Sequence, residues 1–131
     1  PMSVRLSCTD WVEGGWTIDD SIELSRHLKN EGADFIDCSS GALVPDAVIP
    51  FAPGFQVPFA ARIRHEADVA TMAVGGISQP QQANQIINDG QADMVLLARE
   101  FLRDPHWPAS AAHELLGTHF SSHLPVQYAR V

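Results

Sequence analysis

Short apolar runs alternate along the chain with segments in which apolar residues recur at helical spacing. Apolar runs of about four to eight residues are typical of strands, whereas apolar positions roughly three to four residues apart are typical of amphipathic helices. The predicted strands are Ser3–Cys8, Asp34–Ser39, Ala70–Val74 and Met94–Ala98. Their regular alternation with helices predicts an α/β domain with a parallel sheet.

Local signals mark the ends of the intervening helices. Thr17 followed by acidic residues is typical of a helix N-terminus, and Gly32 has the position of a C-cap. After a long loop (about residues 40–55), further helices are predicted over about residues 57–67, 80–90, 99–102 and 108–116. The run Met94–Ala98 is the most continuously apolar of the strands, which predicts a fully buried strand.

Two architectures accommodate four βα units: a small open sheet, or one half of an eight-stranded βα barrel. A complete barrel needs about 250 residues, whereas the chain has 131 residues, the size of one domain. The periodicity leaves both architectures open. We treat residues 1–131 as a single domain that ends in a polar tail, residues 118–131.

Composition and charge narrow the classes of function. Apolar residues make up 45% of the chain and charged residues 18%, which excludes a disordered chain. The net charge of −8 argues against nucleic acid and anionic membranes as partners, because both need a dense cationic surface. No apolar run reaches the roughly 20 residues of a membrane span. Two cysteines and an N-terminus without a secretion signal lead us to expect a cytoplasmic protein.

Glycine and arginine follow the last two predicted strands, at the edge of a parallel sheet where ligands bind. Gly75-Gly76 allows backbone N–H groups to approach a phosphate closely, and Arg99 directly follows the fourth strand. Together these residues resemble a phosphate cradle. A tight turn at the glycines and a surface position for Arg99 explain the same pattern equally well. Arg5 lies within the first strand, where a solvent-facing arginine at a barrel rim is ordinary. An inward-facing arginine there needs an anionic or strongly accepting partner.

Other candidates are weaker. Cys8 and Cys38 lie on predicted strands, where free cysteine is usually a small buried hydrophobe. Ser39-Ser40-Gly41 suits a capping turn at least as well as a ligand contact. Four histidines lack carboxylate or cysteine partners at metal-ligand spacing, so no metal site is predicted. These are His106, His113, His119 and His123.

Four motifs occur in order along the chain: Arg5-Leu6-Ser7, Ile36 to Gly41, Ala73 to Ile77 and Ala98 to Pro105. With the ending Pro125-Val126-Gln127-Tyr128, they resemble the Old Yellow Enzyme family of flavin oxidoreductases, and within it the bacterial NADPH dehydrogenase subgroup of ene-reductases. The resemblance covers nearly the whole chain, but only the C-terminal half of a family member. It implies a TIM (β/α)8 barrel to which this chain contributes strands five to eight.

The resemblance implies FMN as the cofactor. In such a protein Arg5 faces the pyrimidine side of the flavin, while Gly75, Gly76, Ala98 and Arg99 hold the FMN phosphate after the seventh and eighth strands. Ala98 stands where family members often have glycine, and its methyl group is tolerable only if the local φ is negative. The implied activity is the reduction of α,β-unsaturated carbonyl compounds by NADPH or NADH through FMN.

The same resemblance implies that several groups needed for hydride transfer come from the N-terminal half of the family. These include the paired substrate-binding histidines (or histidine and asparagine) and the tyrosine proton donor, which have no counterpart in this sequence. We therefore assign no catalytic residue and expect the 131-residue chain alone to be inactive. Two alternatives stay open: a non-catalytic half-barrel that self-associates, and another barrel that binds FMN or a phosphate sugar.

A half-barrel also leads us to expect a homodimer or larger assembly, because open sheet edges and an uncovered sheet face favour pairing of copies. The ending Gln127-Tyr128-Ala129-Arg130 resembles that of the subgroup. There, a C-terminal arginine crosses a dimer interface and lines the neighbouring subunit's substrate pocket. The resemblance thus implies Tyr128 and Arg130 as substrate-binding residues.

Overall fold

The computed structural model describes residues 1–41, 43–45, 47–117, 125 and 127. Its elements are β1 Ser3–Ser7, α1 Ile18–Asn30, β2 Phe35–Ser39, α2 Val57–Glu66, β3 Ala70–Val74, α3 Pro80–Asn88, β4 Met94–Leu96, α4 Arg99–Arg103 and α5 Trp107–Leu116. The predicted alternation of strands and helices is confirmed.

The strands form one parallel sheet in the order β1-β2-β3-β4. Parallel crossovers are right-handed in nearly all proteins, so strands added in sequence order place their connecting helices on the same face of the sheet. A doubly wound sheet, in which the strand order reverses, is excluded. The fold is therefore α/β with a four-stranded parallel sheet that is consistent with part of a TIM barrel.

The hydrophobic core lies between this sheet and the helices. Ile36 and Cys38 of β2, Ala73 of β3 and Ile63 of α2 belong to it and have no exposed surface. Successive strand residues point to opposite faces, so one face of each strand supplies the core while the other points away from it.

The face of the sheet that points away from this core carries a mixed row of side chains. The strand register places Arg5, Asp37, Met72 and Met94 side by side across the four strands. Met94 is 43% exposed. In a TIM barrel this face of the sheet lines the barrel interior.

One expectation about the fourth strand is wrong. The run Met94–Ala98 predicted a fully buried strand, but β4 spans only Met94–Leu96, lies at the edge of the sheet and contains no buried residue. Of its residues, Val95 packs against the core. An edge strand has one neighbouring strand instead of two, and no further strand among the described residues covers the other side of β4.

Local signals set the ends of α1 as predicted. The Thr17 hydroxyl accepts a hydrogen bond from the Asp20 backbone N–H at 3.3 Å, and the Asp20 carboxylate accepts one from the Thr17 N–H at 2.9 Å. Hydrogen bonds from the Thr17 hydroxyl and N–H hold the pKa of Asp20 below its ordinary value. Gly32 follows the last turn with φ of +97°, a conformation that suits glycine.

Of the helices in the described residues, none is long and apolar enough to cross a membrane.

Asp93 ties the beginning of β4 to α2 and β3. Its carboxylate accepts hydrogen bonds from Nε and Nη2 of Arg64, each at 3.1 Å, and from the backbone N–H of Thr71 at 2.9 Å. Partial burial acts to raise the pKa of this carboxyl, but the hydrogen bonds from Arg64 and Thr71 outweigh it and the pKa is lowered.

We predict that Asp93→Asn lowers the free energy of unfolding by about 1–3 kcal/mol, because the variant loses charge-assisted hydrogen bonds. Since the folded-state pKa is lowered, this stabilisation is complete above the ordinary value of 3.8 and is lost as the pH falls through the folded value. The difference between parent and variant should therefore shrink below about pH 4. Denaturant unfolding at several pH values measures both effects.

Asp89→Asn is the control for this prediction. Asp89 is exposed, and its side chain makes no hydrogen bond within the part of the chain that the structure describes. The variant has the same change of charge and should leave the stability nearly unchanged. Equal losses in the two variants would contradict the role given to Asp93.

Candidate functional site

A cleft of about 420 Å³ opens where β3 and β4 end. Its lining includes Gly75, Gly76, Ala98 and Arg99, the residues that the sequence singled out after these two strands. They meet because β3 and β4 are parallel neighbours, so that the loops after their carboxyl ends emerge at the same edge of the sheet. This edge is where ligands bind in parallel α/β sheets.

Both glycines of the cleft occupy backbone positions that a side chain cannot share. Gly75 has φ of +101° and Gly76 has φ of +65°, a region that favours glycine. A Cβ atom on Gly76 would lie 2.7 Å from the carbonyl oxygen of Ala52 and 2.9 Å from the backbone nitrogen of Gly54. Because these neighbours are backbone atoms, rotating a side chain would not relieve the overlap.

The glycine turn contains backbone donors that have no partner among the described residues. Within the described residues, the N–H groups of Gly75, Gly76 and Ile77 donate no hydrogen bond. All three residues line the cleft. Unpaired N–H groups in the loop between a strand and a helix are the donors with which such loops bind phosphate.

Arg99 is the first residue of α4 and adds a positive charge to the cleft. Among the arginines of the described ranges, it is the one whose side chain forms neither an ion pair nor a hydrogen bond. Arg103 also lines the cleft, but it is paired with Glu100. A guanidinium that no carboxylate neutralises is suited to bind the oxygens of a phosphate.

The backbone at Ala98 has the negative φ that its methyl group requires. Its φ is −116°, a region open to any residue. The methyl group is therefore compatible with this backbone conformation.

Arg5 does not line this cleft. It lies on the sheet face that points away from the core, and its Nε donates to Oδ2 of Asp37 at 2.5 Å. Asp37 is 9% exposed, and its Oδ1 is buried without a hydrogen-bond partner in the described part of the chain. The Arg5 side chain is 59% exposed. Arg5 thus has the anionic partner that its position requires, while its terminal nitrogens are available to a ligand on this face.

Two glutamines that contact the glycine turn were not among the residues predicted from the sequence. Nε2 of Gln56 donates to the carbonyl oxygen of Val74 at 2.8 Å, and its Oε1 accepts from the backbone N–H and the hydroxyl of Ser40, both at 2.6 Å. Nε2 of Gln82 donates to the carbonyl oxygen of Gly76 at 3.1 Å. Their partners are mainly backbone groups of other segments, so no motif marks them. The contact with Gln56 gives the backbone N–H and the hydroxyl of Ser40 a partner within the protein.

The two cysteines do not line the cleft. Cys8 and Cys38 are free thiols without exposed surface. The hydrogen bond with Cys8, together with burial, raises the pKa of the Cys38 thiol, which disfavours a reactive thiolate. Tyr128 and Arg130 lie outside the described residues, as do His119 and His123.

The sequence matches one protein family over most of its length and is similar to several known enzymes. The model of the NADH:flavin oxidoreductase / NADH oxidase family matches residues 2–117. The chain is similar to NADPH dehydrogenases of Halalkalibacterium halodurans, Geobacillus sp. and Geobacillus thermodenitrificans, with 51%, 50% and 46% identity over 130 residues. Each match covers 99% of this chain and 37% of the relative, so the chain spans about 37% of the length of these relatives.

We predict that Gly76→Ala destabilises the protein more than Gly14→Ala. Both glycines have positive φ, of +65° and +75°, so both alanines incur the left-handed cost of about 1–2 kcal/mol. A Cβ atom meets nothing within 4 Å at Gly14, whereas it overlaps backbone atoms at Gly76. Denaturant unfolding of the two variants isolates this overlap. Equal losses would contradict the close packing of the turn against residues 52–54.

Proposed function

The chain belongs to the NADH:flavin oxidoreductase / NADH oxidase family, and we propose that it is the FMN-phosphate-binding part of an NAD(P)H-dependent ene-reductase. The observation that carries the proposal is the cleft after β3 and β4. There, three unpaired backbone N–H groups lie in the same cleft as the unpaired guanidinium of Arg99. Phosphate sites of TIM barrels follow strands seven and eight, which supports the assignment of β1–β4 to strands five to eight.

The donor set fits a phosphate dianion in a chain that is otherwise acidic. With a net charge of −8, long-range attraction of an anion is weak, so binding depends on groups that touch the ligand. Gly75 and Gly76 carry no side chain, which allows a phosphate to reach their N–H groups, and Arg99 can form two parallel hydrogen bonds with phosphate oxygens. Ala98 lines the same cleft.

Arg5 is proposed to contact the flavin ring. Its guanidinium lies on the sheet face that lines the interior of a TIM barrel, and Asp37 fixes its position through Nε. A cation beside the polar edge of the flavin favours the reduced, anionic form of the ring. When bound, FMN would supply hydride-transfer chemistry between NADPH or NADH and the carbon–carbon double bond of an α,β-unsaturated carbonyl compound.

We propose that the 131 residues alone do not sustain turnover. Within the described residues, β1 and β4 are the edges of an open sheet, so the flavin and its substrate would be contained from one side. Hydride transfer requires a substrate that is oriented against the flavin and shielded from water. Tyr128 and Arg130 remain the predicted substrate contacts across a dimer interface. A cytoplasmic location, where nicotinamide cofactors are plentiful and Cys8 and Cys38 stay reduced, is part of the proposal.

We predict that Arg99→Ala weakens FMN binding by more than about 1.5 kcal/mol, a factor of at least about ten, because charge-assisted hydrogen bonds to the phosphate are lost. Titration of the apoprotein with FMN, followed by flavin fluorescence, measures this in the complete gene product that contains these residues. Arg62→Ala removes the same charge from a surface ion pair with Asp19 and Glu66 and is the control. Unchanged affinity in Arg99→Ala would refute the phosphate site.

The uncovered sheet face supports self-association as a second candidate property. This face carries the apolar side chains of Met72 and Met94, which the described residues do not fully cover. The outer backbone groups of the edge strands β1 and β4 pair with no further strand in the described residues. Two copies that pair through these edges or faces would bury them. This pairing would give a non-catalytic assembly of the 131-residue chain.

We predict that the isolated 131-residue chain forms a dimer or larger species at micromolar concentration, as measured by light scattering. Met94→Lys places a charge on the uncovered sheet face and should shift the chain toward the monomer. Leu102→Lys, at an apolar position of α4 that is 84% exposed, is the control and should leave the assembly intact. A stable monomer of the parent chain would instead indicate an independent α/β domain.

A further inference from the structure

Two glutamine side chains donate hydrogen bonds to carbonyl oxygens of the glycine turn. Nε2 of Gln56 donates to the carbonyl oxygen of Val74, and Nε2 of Gln82 donates to that of Gly76. The Gly76 oxygen accepts a second hydrogen bond from the Gly54 N–H at 3.1 Å. Neither glutamine lines the cleft. Gln56 directly precedes α2 and Gln82 lies within α3, so both hold the turn from positions outside the lining of the cleft.

Peptide geometry converts these contacts into a direction for the N–H groups. The described residues contain no cis peptide bond, and in a trans peptide the C=O and the N–H of one unit point in opposite directions. The bond from Gln56 therefore turns the Gly75 N–H away from Gln56, and the bond from Gln82 turns the Ile77 N–H away from Gln82. Gly75 and Ile77 line the cleft, and their N–H groups have no partner in the described residues.

Gln56 is itself held in one orientation. It is 3% exposed, and its Oε1 accepts two hydrogen bonds from Ser40. An amide oxygen that faces two donors leaves the amide nitrogen facing the Val74 carbonyl. A Cβ atom on Gly75 would overlap Nε2 of Gln56, so the glutamine packs directly against the turn.

We propose that Gln56 and Gln82 are positioning residues that aim the Gly75 and Ile77 N–H groups at the phosphate of FMN. This inference rests on the proposed function and deepens it, because it explains what holds the donors in place before the ligand arrives. Donors that are already oriented do not have to be ordered on binding, which increases affinity. The two glutamines touch the turn and never the ligand, so their effect should be confined to the phosphate.

Riboflavin provides the test, since it has the ring of FMN but no phosphate. The Kd values for FMN and riboflavin are measured by flavin fluorescence on the apo form of the complete gene product. The variants are Gln56→Met and Gln82→Met, which keep the length of the side chain and remove the donor. Gln85→Met is the matched control, because Gln85 lies on the same helix as Gln82 and its side chain makes no hydrogen bond within the described residues.

We expect the parent to bind FMN more tightly than riboflavin. In Gln56→Met and Gln82→Met this preference should fall by at least about tenfold, equivalent to about 1.4 kcal/mol, while the Kd for riboflavin changes little. Gln85→Met should retain the full preference. If Gln56→Met does not fold, Gln82→Met, at a partly exposed position, decides alone.

Two results would overturn the inference, and they differ in what else they overturn. If the parent prefers FMN and both variants keep that preference, or lose affinity for both flavins equally, the glutamines stabilise the fold without positioning the donors. If the parent binds FMN and riboflavin equally, the phosphate site itself is absent, and the proposed function fails together with the inference.

Discussion

The cleft depends on a contact between two stretches of backbone. The turn after β3 packs against residues 52–54 so closely that a Cβ atom on Gly76 has no room, and the Gly54 N–H donates to the Gly76 carbonyl oxygen. This contact joins the long loop after β2 to the turn after β3. In this arrangement the carbonyl oxygens of Val74 and Gly76 are bonded within the protein, whereas three N–H groups of residues that line the cleft have no partner among the described residues. The phosphate site in our proposal is a consequence of that arrangement.

Arg99 differs from the other arginines of the described residues because its guanidinium has no carboxylate partner. The chain carries 16 acidic and 8 basic residues, and carboxylates neutralise the guanidinium groups of Arg62, Arg64 and Arg103. In a chain with more acidic than basic residues, an arginine without a carboxylate partner is unusual. Among the described residues, the guanidinium of Arg99 is therefore the one best suited to bind an anion. Arg5 is the intermediate case, because Asp37 binds its Nε and leaves the terminal nitrogens to the open sheet face.

The two ends of the proposed FMN site differ in how far this chain completes them. The proposed phosphate donors come from neighbouring loops, and contacts among the described residues hold these loops together. The flavin ring and substrate would lie on a sheet face that these residues leave open, beside β1 and β4 as edges. The chain spans about 37% of the length of the NADPH dehydrogenases that it resembles. Its described residues surround the proposed phosphate site more completely than the proposed site of the flavin ring.

The sequence by itself determined the features that depend on neighbours within a few residues. Thr17 and Gly32 delimit α1, and the glycines after β3 form a turn, because capping and φ preferences act through adjacent backbone atoms. Tertiary structure alone decided the rest. The exposure of β4 follows from its edge position, and the contact of Gln56 with Val74 joins residues 18 positions apart in the chain. Such contacts depend on strand order and register, which are set when the whole sheet assembles and which no local pattern encodes.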